Sequence, residues 1–182
     1  MEGGTLDFMA EVMDQKKKIL DFIKKHKISV IATVNLENRY PRSEDRGSLI
    51  FAQNSLHPRL ESRGFFAQNK PEAAVVDFAQ TENLELIFHT LASTRKAQNI
   101  QINKNVAFVI GWDENITVQY EGEVGEISDS ELEQDKKLYL LKIPEAVKWI
   151  NEDESKFFKV SPRWIRYSDL NLDPWEIFEV RF

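Results

Sequence analysis

The 182-residue sequence contains no cysteine, which excludes disulfide bonds, thiolate metal ligands and a cysteine nucleophile. Histidine is scarce as well. The three copies, His26, His57 and His89, lie far apart and do not have the spacing of a metal site. We therefore expect no bound metal ion.

Long apolar runs are also missing. The two longest, 28–33 and 106–112, are far shorter than the roughly 20 residues that a membrane-spanning helix requires. Residues 1–5 show no basic region ahead of an apolar core, so a secretory signal is not indicated. With a net charge of −6 the chain lacks the dense basic surface that general nucleic-acid binding requires. We expect a cytoplasmic protein whose partners include neither a membrane nor a nucleic acid.

The composition that is present is that of an ordinary globular protein. Hydrophobic residues make up 42% and charged residues 30%, and a chain of this length fits one domain spanning 1–182. Near the start, apolar residues recur at steps of three and four, which predicts a helix with one buried stripe. The members of this stripe are Met9, Val12, Met13, Ile19, Leu20 and Ile23.

Most of the remaining chain has the pattern of β-strands joined by short connections. Helices are predicted at 94–103, from a capping box formed by Ser128 and Glu131 to about residue 141, and from Pro144 to residue 150. Meander connections of this length favour a closed or nearly closed antiparallel barrel, mainly β with helices (α+β). Strands are predicted at 28–34, 73–78, 84–90, 106–112, 116–124, 157–167 and 175–182.

Residues 42–70 interrupt this rhythm. The tetrapeptide Phe-Ala-Gln-Asn occurs twice within them, at 51–54 and 66–69. Long loops without structure of their own are uncommon in compact domains, but a surface insertion adds little loop-closure entropy. We interpret the segment as an insertion between two barrel strands, similar to the in-frame palindromic repeat elements of some bacterial genes. An active-site lid or a partner-binding arm is the alternative.

The chemically informative stretch lies at the end of the strand predicted at 84–90. Thr90 ends that strand, and Thr94, Arg95 and Lys96 begin the next helix. Unpaired amides and the positive end of a helix dipole favour a phosphate group there. A guanidinium binds two phosphate oxygens, an ammonium adds a point charge and a hydroxyl donates a hydrogen bond. Taken alone, the pattern also fits a capped helix with two solvent-exposed cations.

The run from His89-Thr90 to Thr94-Arg95-Lys96 resembles, without a gap, the flavin-phosphate motif of the pyridoxamine 5'-phosphate oxidase-like family of FMN-binding split β-barrels. The resemblance continues upstream in 71–78, which is similar to the family strand along the isoalloxazine ring. Downstream it continues through 99–110 and 117–122. Ala74 stands where the true pyridoxamine phosphate oxidases have a basic residue.

This resemblance implies an FMN cofactor and a set of residues that bind it. Thr90, Thr94, Arg95 and Lys96 would hold the phosphate and the ribityl chain. Val75, Val76 and Asp77 would line the flavin ring through their main chain. Thr117 would lie near the ring from the next barrel strand, and Trp164 would stack beside it across a dimer interface. A position in the core is the alternative for Trp164.

The resemblance also implies a homodimer and an FMN-dependent oxidoreductase that acts on a small-molecule substrate or electron donor. Two alternatives stay open: a non-catalytic flavin- or haem-binding sensor or carrier, and an interaction protein that uses 42–70 as an arm. His89 is a candidate acid or base by its intrinsic pKa, or a ring that packs in place of an aromatic residue of the motif. No residue is assigned a catalytic role.

Overall fold

The computed structural model describes residues 3–37, 68–150 and 154–182. Within these ranges the chain forms one long helix and then strands with short helical segments between them, in the predicted order. The helices are α1 (Gly3–Lys25), α2 (Arg95–Ile102) and α3 (Asp129–Lys142), followed by a 3₁₀ helix at Pro144–Lys148. The strands are β1 (Ile28–Glu37), β2 (Gln68–Gln80), β3 (Leu86–Leu91), β4 (Asn105–Ile110), β5 (Ile116–Glu126), β6 (Ser155–Asp169) and β7 (Glu176–Arg181).

These strands form one antiparallel sheet in the order β3-β2-β1-β4-β5-β6-β7. A further antiparallel pairing between β3 and β6 closes all of them except β7 into a ring. Closure pairs main-chain groups that the edges of an open sheet would leave exposed. The predicted fold class, a mainly β antiparallel split barrel with helices, is confirmed.

The barrel interior is filled by aromatic side chains. The rings of Phe88 and Phe158 stack with centroids 5.3 Å apart, and Phe108 meets Tyr120 edge to face at 5.9 Å. The buried Tyr120 hydroxyl lies 2.9 Å from the Val160 carbonyl oxygen and 3.1 Å from that of Leu84. Burial raises the pKa of this phenol far above its ordinary value, so it remains a neutral donor that ties β5 to β6.

The buried core residues of α1 lie in its second half, and the partly buried Val12 packs against them from the first half. Ile19 and Ile23 are fully buried, as the predicted stripe requires. Met9 and Met13 are 59% and 70% exposed, so the prediction is wrong for these two residues. The helical period is continuous through α1, but the core provides no apolar partner for Met9 and Met13.

The segment after β5 packs against the outside of β2, β3 and β6. α3 and the 3₁₀ helix form a second apolar cluster there with residues of the three strands, namely Ala79, Ile87, Tyr139, Ile143, Ala146, Ile150 and Phe157. The predicted capping box at its start is formed only in part. The Ser128 hydroxyl donates to the Glu131 carboxylate at 2.7 Å and makes no hydrogen bond to the α3 main chain. That carboxylate also faces Lys159 of β6, at 3.3 Å, and hydrogen bonds from the side chain and the main chain of Ser128 lower its pKa, so only the hydroxyl half of the predicted box is wrong.

The barrel strands extend to both ends of the predicted insertion. β1 and β2 pair in continuous register from Ile28 opposite Asp77 to Glu37 opposite Gln68. Gln68–Lys70, the last residues of the predicted segment, therefore belong to a barrel strand. Residues 42–67 lie outside the described ranges, and their interpretation as an insertion remains a prediction.

Candidate functional site

Strands β2 and β3 separate soon after the turn that joins them. They pair only where Phe78–Gln80 lies opposite Leu86–Phe88. Beyond that point β3 continues with β6, whereas β2 stays paired with β1. Among the described residues, no strand pairs with the outer edge of β2 between Gln68 and Asp77. We call the gap between this edge and the start of α2 the split.

Main-chain groups of Val75 and Asp77 point into the split. The Phe78 amide donates to the Lys27 carbonyl oxygen at 3.0 Å, so the main-chain groups of Phe78 face away from the open edge. Successive residues of a strand direct these groups to opposite sides. Those of Asp77 and Val75 consequently face the split, and those of Val76 face β1. The strand thus offers a ligand two of the three residues named from the sequence.

Thr94 is the N-cap of α2, and its hydroxyl is committed within the protein. Its oxygen lies 3.4 Å from the Ala97 amide, from which it accepts, and it donates to the Leu91 carbonyl oxygen at 2.8 Å. The buried Thr90 hydroxyl, 3.1 Å from that of Thr94, must then donate to Thr94, since a hydroxyl has one hydrogen. Thr90 and Thr94 lie together as the sequence predicted, but each hydroxyl would have to rotate before donating to a phosphate oxygen.

The two cations at the start of α2 differ in their surroundings. Arg95 is 79% exposed in its side chain, and its Nη1 lies 3.3 Å from Glu72 Oε1 on β2. Lys96 is half-buried, and this desolvation lowers the pKa of its ammonium group. No ion pair joins Lys96 to any residue in the described ranges. A partly desolvated cation without a counter-ion beside the first amides of a helix favours an anion.

Glu72 belongs to this site, and the sequence analysis missed it. Its carboxylate bridges two residues of α2, because Oε2 accepts from Asn99 Nδ2 at 3.0 Å while Oε1 faces Arg95. The Asn99 amide also lies 3.0 Å from the Thr33 hydroxyl oxygen on β1. Asn99 and Thr33 are 4% and 2% exposed. A glutamate at the start of a strand gives no sequence signal for this contact, which depends on how α2 lies across β1 and β2.

Asp77 and His89 lie opposite each other where the split begins, since the preceding pair in the register is Phe78 with Phe88. Desolvation raises the pKa of the Asp77 carboxyl group, and the nearby Glu145 carboxylate raises it further. The His89 ring packs with its centroid 5.3 Å from that of Phe157 and 6.4 Å from that of Tyr139. The structure therefore places His89 in an aromatic contact beside the split.

Thr117 and Trp164 do not reach the split within one chain. Thr117 lies on β5, and two strands, β1 and β4, stand between β5 and β2. Trp164 lies on β6 with its indole Nε1 donating to Glu179 Oε2 at 3.0 Å. Both alternate with the buried Val118 and Ile165, so they face the outside of the barrel. The core alternative for Trp164 is wrong for the single chain.

The same outer surface carries an apolar band across β2, β1 and β4. Val75, Val30 and Val109 are aligned in register, and Val75 is 64% exposed. Next to them the small residues Ala32 and Ala107 line a shallow hollow of 270 Å³ that extends to the β5–β6 pair. A contiguous apolar surface of this kind is typical of a binding face. We call the surface that contains Val30, Val75, Val109, Ala32 and Ala107 the valine face.

Neither a metal centre nor a membrane-spanning helix is found in the described ranges. No group of three or more histidine, aspartate or glutamate side chains there is arranged to hold a metal ion. No helix there is long and apolar enough to cross a bilayer.

Comparison with solved structures shows the same fold in proteins of low sequence identity. General Stress Protein 26 from Bacillus anthracis is 19% identical, with a TM-score of 0.58 over 91% of this chain and 98% of that one. HutZ, the haem storage protein from Vibrio cholerae, is 16% identical, with a TM-score of 0.57 over 81% and 89%. A haem binding protein from Mycobacterium smegmatis is 11% identical, with a TM-score of 0.62 over 88% of this chain. The chain spans 55% of the length of that last protein.

The sequence comparisons give a family but no individual counterpart. A search of curated proteins returned no match. The family model described as pyridoxamine 5'-phosphate oxidase matches residues 65–169, more than half of the chain. That range contains β2 to β6 and both sides of the split. The chain therefore belongs to the pyridoxamine 5'-phosphate oxidase family.

Proposed function

We propose that this protein binds FMN in the split and uses it as an oxidoreductase that acts on a small substrate or electron donor. The observation that carries the proposal is the partial burial of the Lys96 side chain without a counter-ion among the described residues. This half-buried cation has no ion pair among the described residues, and it stands at the start of a helix beside an open strand edge. A phosphate monoester supplies the missing charge, and a flat ring attached to it can lie along the strand.

The residues around the split fit the phosphate end of FMN. Lys96 provides a charge that a phosphate would neutralise, and Arg95 has an exposed guanidinium with donors to spare. The first amides of α2 have no partner within the helix, since an α-helix leaves its first amides unpaired. Thr90 and Thr94 can contribute after their hydroxyls rotate.

The ring end is matched by the open edge of β2. Main-chain groups of Val75 and Asp77 face the split, where they can meet the polar edge of an isoalloxazine. When bound, FMN supplies the redox chemistry itself. The residues of this chain bind the phosphate, orient the ring and exclude water from one side of it. A raised pKa lets Asp77 stay protonated to a higher pH than an ordinary aspartate, so it is a candidate donor beside the ring.

We further infer that two copies associate through the valine face. An exposed apolar surface on a barrel is stabilised when a second copy covers it. Thr117 and Trp164 stand on the same outside surface but away from the split of their own chain. In a homodimer they are available to a flavin held by the other copy, which gives both residues the role that the family resemblance implies.

A non-catalytic module that holds a flavin or haem at the same split is the second candidate. It is favoured by the likeness of the fold to proteins named for haem binding and haem storage. The absorbance spectrum of the purified protein separates the candidates, because haem gives one intense Soret band and flavin gives two weaker bands at other wavelengths. A bound flavin that no nicotinamide nucleotide or other donor reduces would support a carrier or sensor.

The test of FMN binding uses the double variant Arg95→Ala/Lys96→Ala. Each charge-assisted hydrogen bond contributes about 1.5–3 kcal/mol, so loss of both cations should weaken FMN binding by at least roughly a hundredfold. Riboflavin, which has no phosphate, should bind the wild type and the variant equally. The matched control is Lys24→Ala/Lys25→Ala, an adjacent cation pair at the end of α1. Equal FMN affinity of the wild type and the site variant would overturn the proposal.

A further inference from the structure

We propose that Glu72 competes with a phosphate-bearing ligand for Arg95 and thereby sets the affinity of the split for such ligands. The inference rests on the proposed function, because it concerns the same split. It adds to that function a carboxylate of this chain that competes with the phosphate for one guanidinium.

The carboxylate is fixed and the guanidinium is mobile. Glu72 has 19% of its side chain exposed, whereas Arg95 has 79%. Glu72 Oε2 accepts from Asn99 Nδ2 at 3.0 Å, and Asn99 is itself buried against the Thr33 hydroxyl. Two buried residues on different elements therefore hold the carboxylate in place. When a ligand enters, Arg95 is the partner that moves.

The contact between them is weak enough to be exchanged. Only Nη1 of Arg95 reaches Glu72 Oε1, at 3.3 Å, and the two-pronged geometry of a strong guanidinium–carboxylate pair is not formed. Exposed ion pairs contribute little to stability because water screens them. A phosphate dianion offers Arg95 more charge and three acceptor oxygens, so it can displace the carboxylate.

Displacement has a consequence for selectivity. A ligand that uses Arg95 must first separate it from Glu72 and then place its own negative charge beside a carboxylate that cannot retreat. A ligand without a phosphate leaves the pair intact, so neither the loss of the ion pair nor charge repulsion lowers its affinity. Glu72 thus lowers the affinity for ligands that use Arg95, FMN and inorganic phosphate alike, and leaves the affinity for a ligand without a phosphate unchanged.

The first experiment compares the wild type with Glu72→Gln. Glutamine keeps an oxygen that can accept from Asn99 while its amide cannot hold a guanidinium. Dissociation constants are measured for FMN, riboflavin and inorganic phosphate by calorimetry. We expect about three- to tenfold tighter binding of FMN and phosphate, as loss of a weak ion pair and of one repulsive charge implies. Riboflavin affinity should stay unchanged.

The second experiment asks whether Glu72 acts through Arg95. In an Arg95→Ala background the same Glu72→Gln change should raise phosphate and FMN affinity by less than it does in the wild type, because only the repulsion between Glu72 and the phosphate is then removed. The matched control is Glu82→Gln, which removes an equal charge from the β2–β3 turn. That turn lies roughly 30 Å from Glu72 along the strand, and Glu82 pairs with Lys24 instead.

The outcomes separate this inference from the proposed function. Weaker or unchanged phosphate binding in Glu72→Gln overturns the role of Glu72, as does an equal gain in the Arg95→Ala background. If the wild type binds phosphate but no flavin, the FMN proposal fails, and the phosphate arm still decides whether Glu72 competes for Arg95. If neither protein binds phosphate or FMN, both proposals are wrong.

Discussion

The Nζ atom of Lys142, at the end of α3, lies 3.2 Å from the main-chain carbonyl oxygen of Ile23 near the end of α1. It also contacts the side-chain oxygen of Gln80 and stands 4.1 Å from the centroid of the Phe78 ring. The ammonium therefore joins α1, α3 and β2 through neutral acceptors only. Burial, together with the nearby Lys27 cation, lowers the pKa of Lys142 to about 7.

This residue predicts a pH dependence of stability. The ordinary pKa of a lysine is 10.5, so between about pH 7 and 10.5 the unfolded chain binds a proton that the folded chain has released. Stability then rises with pH across that window. Lys142→Met should remove this contribution, so that its free energy of unfolding rises less from pH 7 to 10 than that of the wild type. Denaturant titrations at several pH values measure the difference.

The control for this prediction is Lys137→Met, an exposed lysine on the same helix. Its pH profile should follow the wild type. An identical pH slope in the wild type and Lys142→Met would show that Lys142 does not release its proton in the folded state.

Lys96 predicts a pH dependence of FMN binding with the opposite sign. Desolvation lowers its pKa in the free protein, and a bound phosphate favours the charged form. Affinity for FMN should therefore decline as the pH rises through the pKa of Lys96 in the free protein. Lys96→Met should bind FMN roughly ten- to a hundredfold more weakly at pH 7, as loss of one charge-assisted bond implies. Fluorescence titration at a series of pH values measures both effects.

Lys96→Arg supplies the matched comparison, because guanidinium stays protonated throughout the accessible pH range. It should retain most of the affinity and lose the decline at high pH. A decline of equal size in Lys96→Met would assign the pH effect to another group.

The valine face predicts the oligomeric state. Val109→Glu places a charge on the β4 side of this surface, and the cost of burying it should convert a dimer into a monomer. FMN binding should weaken as well, because Thr117 and Trp164 of a second copy would no longer be present. Light scattering coupled to size-exclusion chromatography gives the mass of each species.

Val147→Glu is the control for the association. This valine on the 3₁₀ helix is 52% exposed, compared with 38% for Val109, but it lies outside the valine face. If both variants keep the mass of the wild type, the valine face is not the contact between copies.

Deletion of residues 42–67 tests the predicted insertion. The pairing of β1 with β2 runs to Glu37 and Gln68. A short turn of glycine and serine can therefore join the two strands and leave this pairing intact. Folding, association and FMN affinity should all survive, since the length of a surface insertion changes the entropy cost of closing the loop only slightly. Thermal unfolding with and without FMN measures the outcome. Loss of flavin binding alone would indicate an active-site lid, and loss of a partner alone would indicate an interaction arm.

Local patterns predicted several elements of this protein well. The helix at 94–103 is confirmed closely, with Thr94 as its N-cap and Asn103 as its C-cap, because capping depends on residues near in sequence. The hydroxyl half of the capping box at Ser128 is wrong because that hydroxyl donates to the Glu131 carboxylate instead of accepting from the main chain. The stripe on α1 is correct for Ile19 and Ile23 but not for Met9 and Met13, since periodicity does not show where a helix has a partner.

The sequence by itself determined that the chain forms an antiparallel barrel with a cluster of hydroxyls and cations at one strand–helix junction, and it carried the likeness to its family. These features depend on alternation and on neighbours within a few residues. Tertiary structure alone decided that β2 leaves β3 and opens an edge, that Glu72 holds Arg95 and that Thr117 and Trp164 stand apart from the split. The contact between Glu72 and Arg95 joins residues 23 positions apart, and all three relationships depend on how the strands and helices pack rather than on any local pattern.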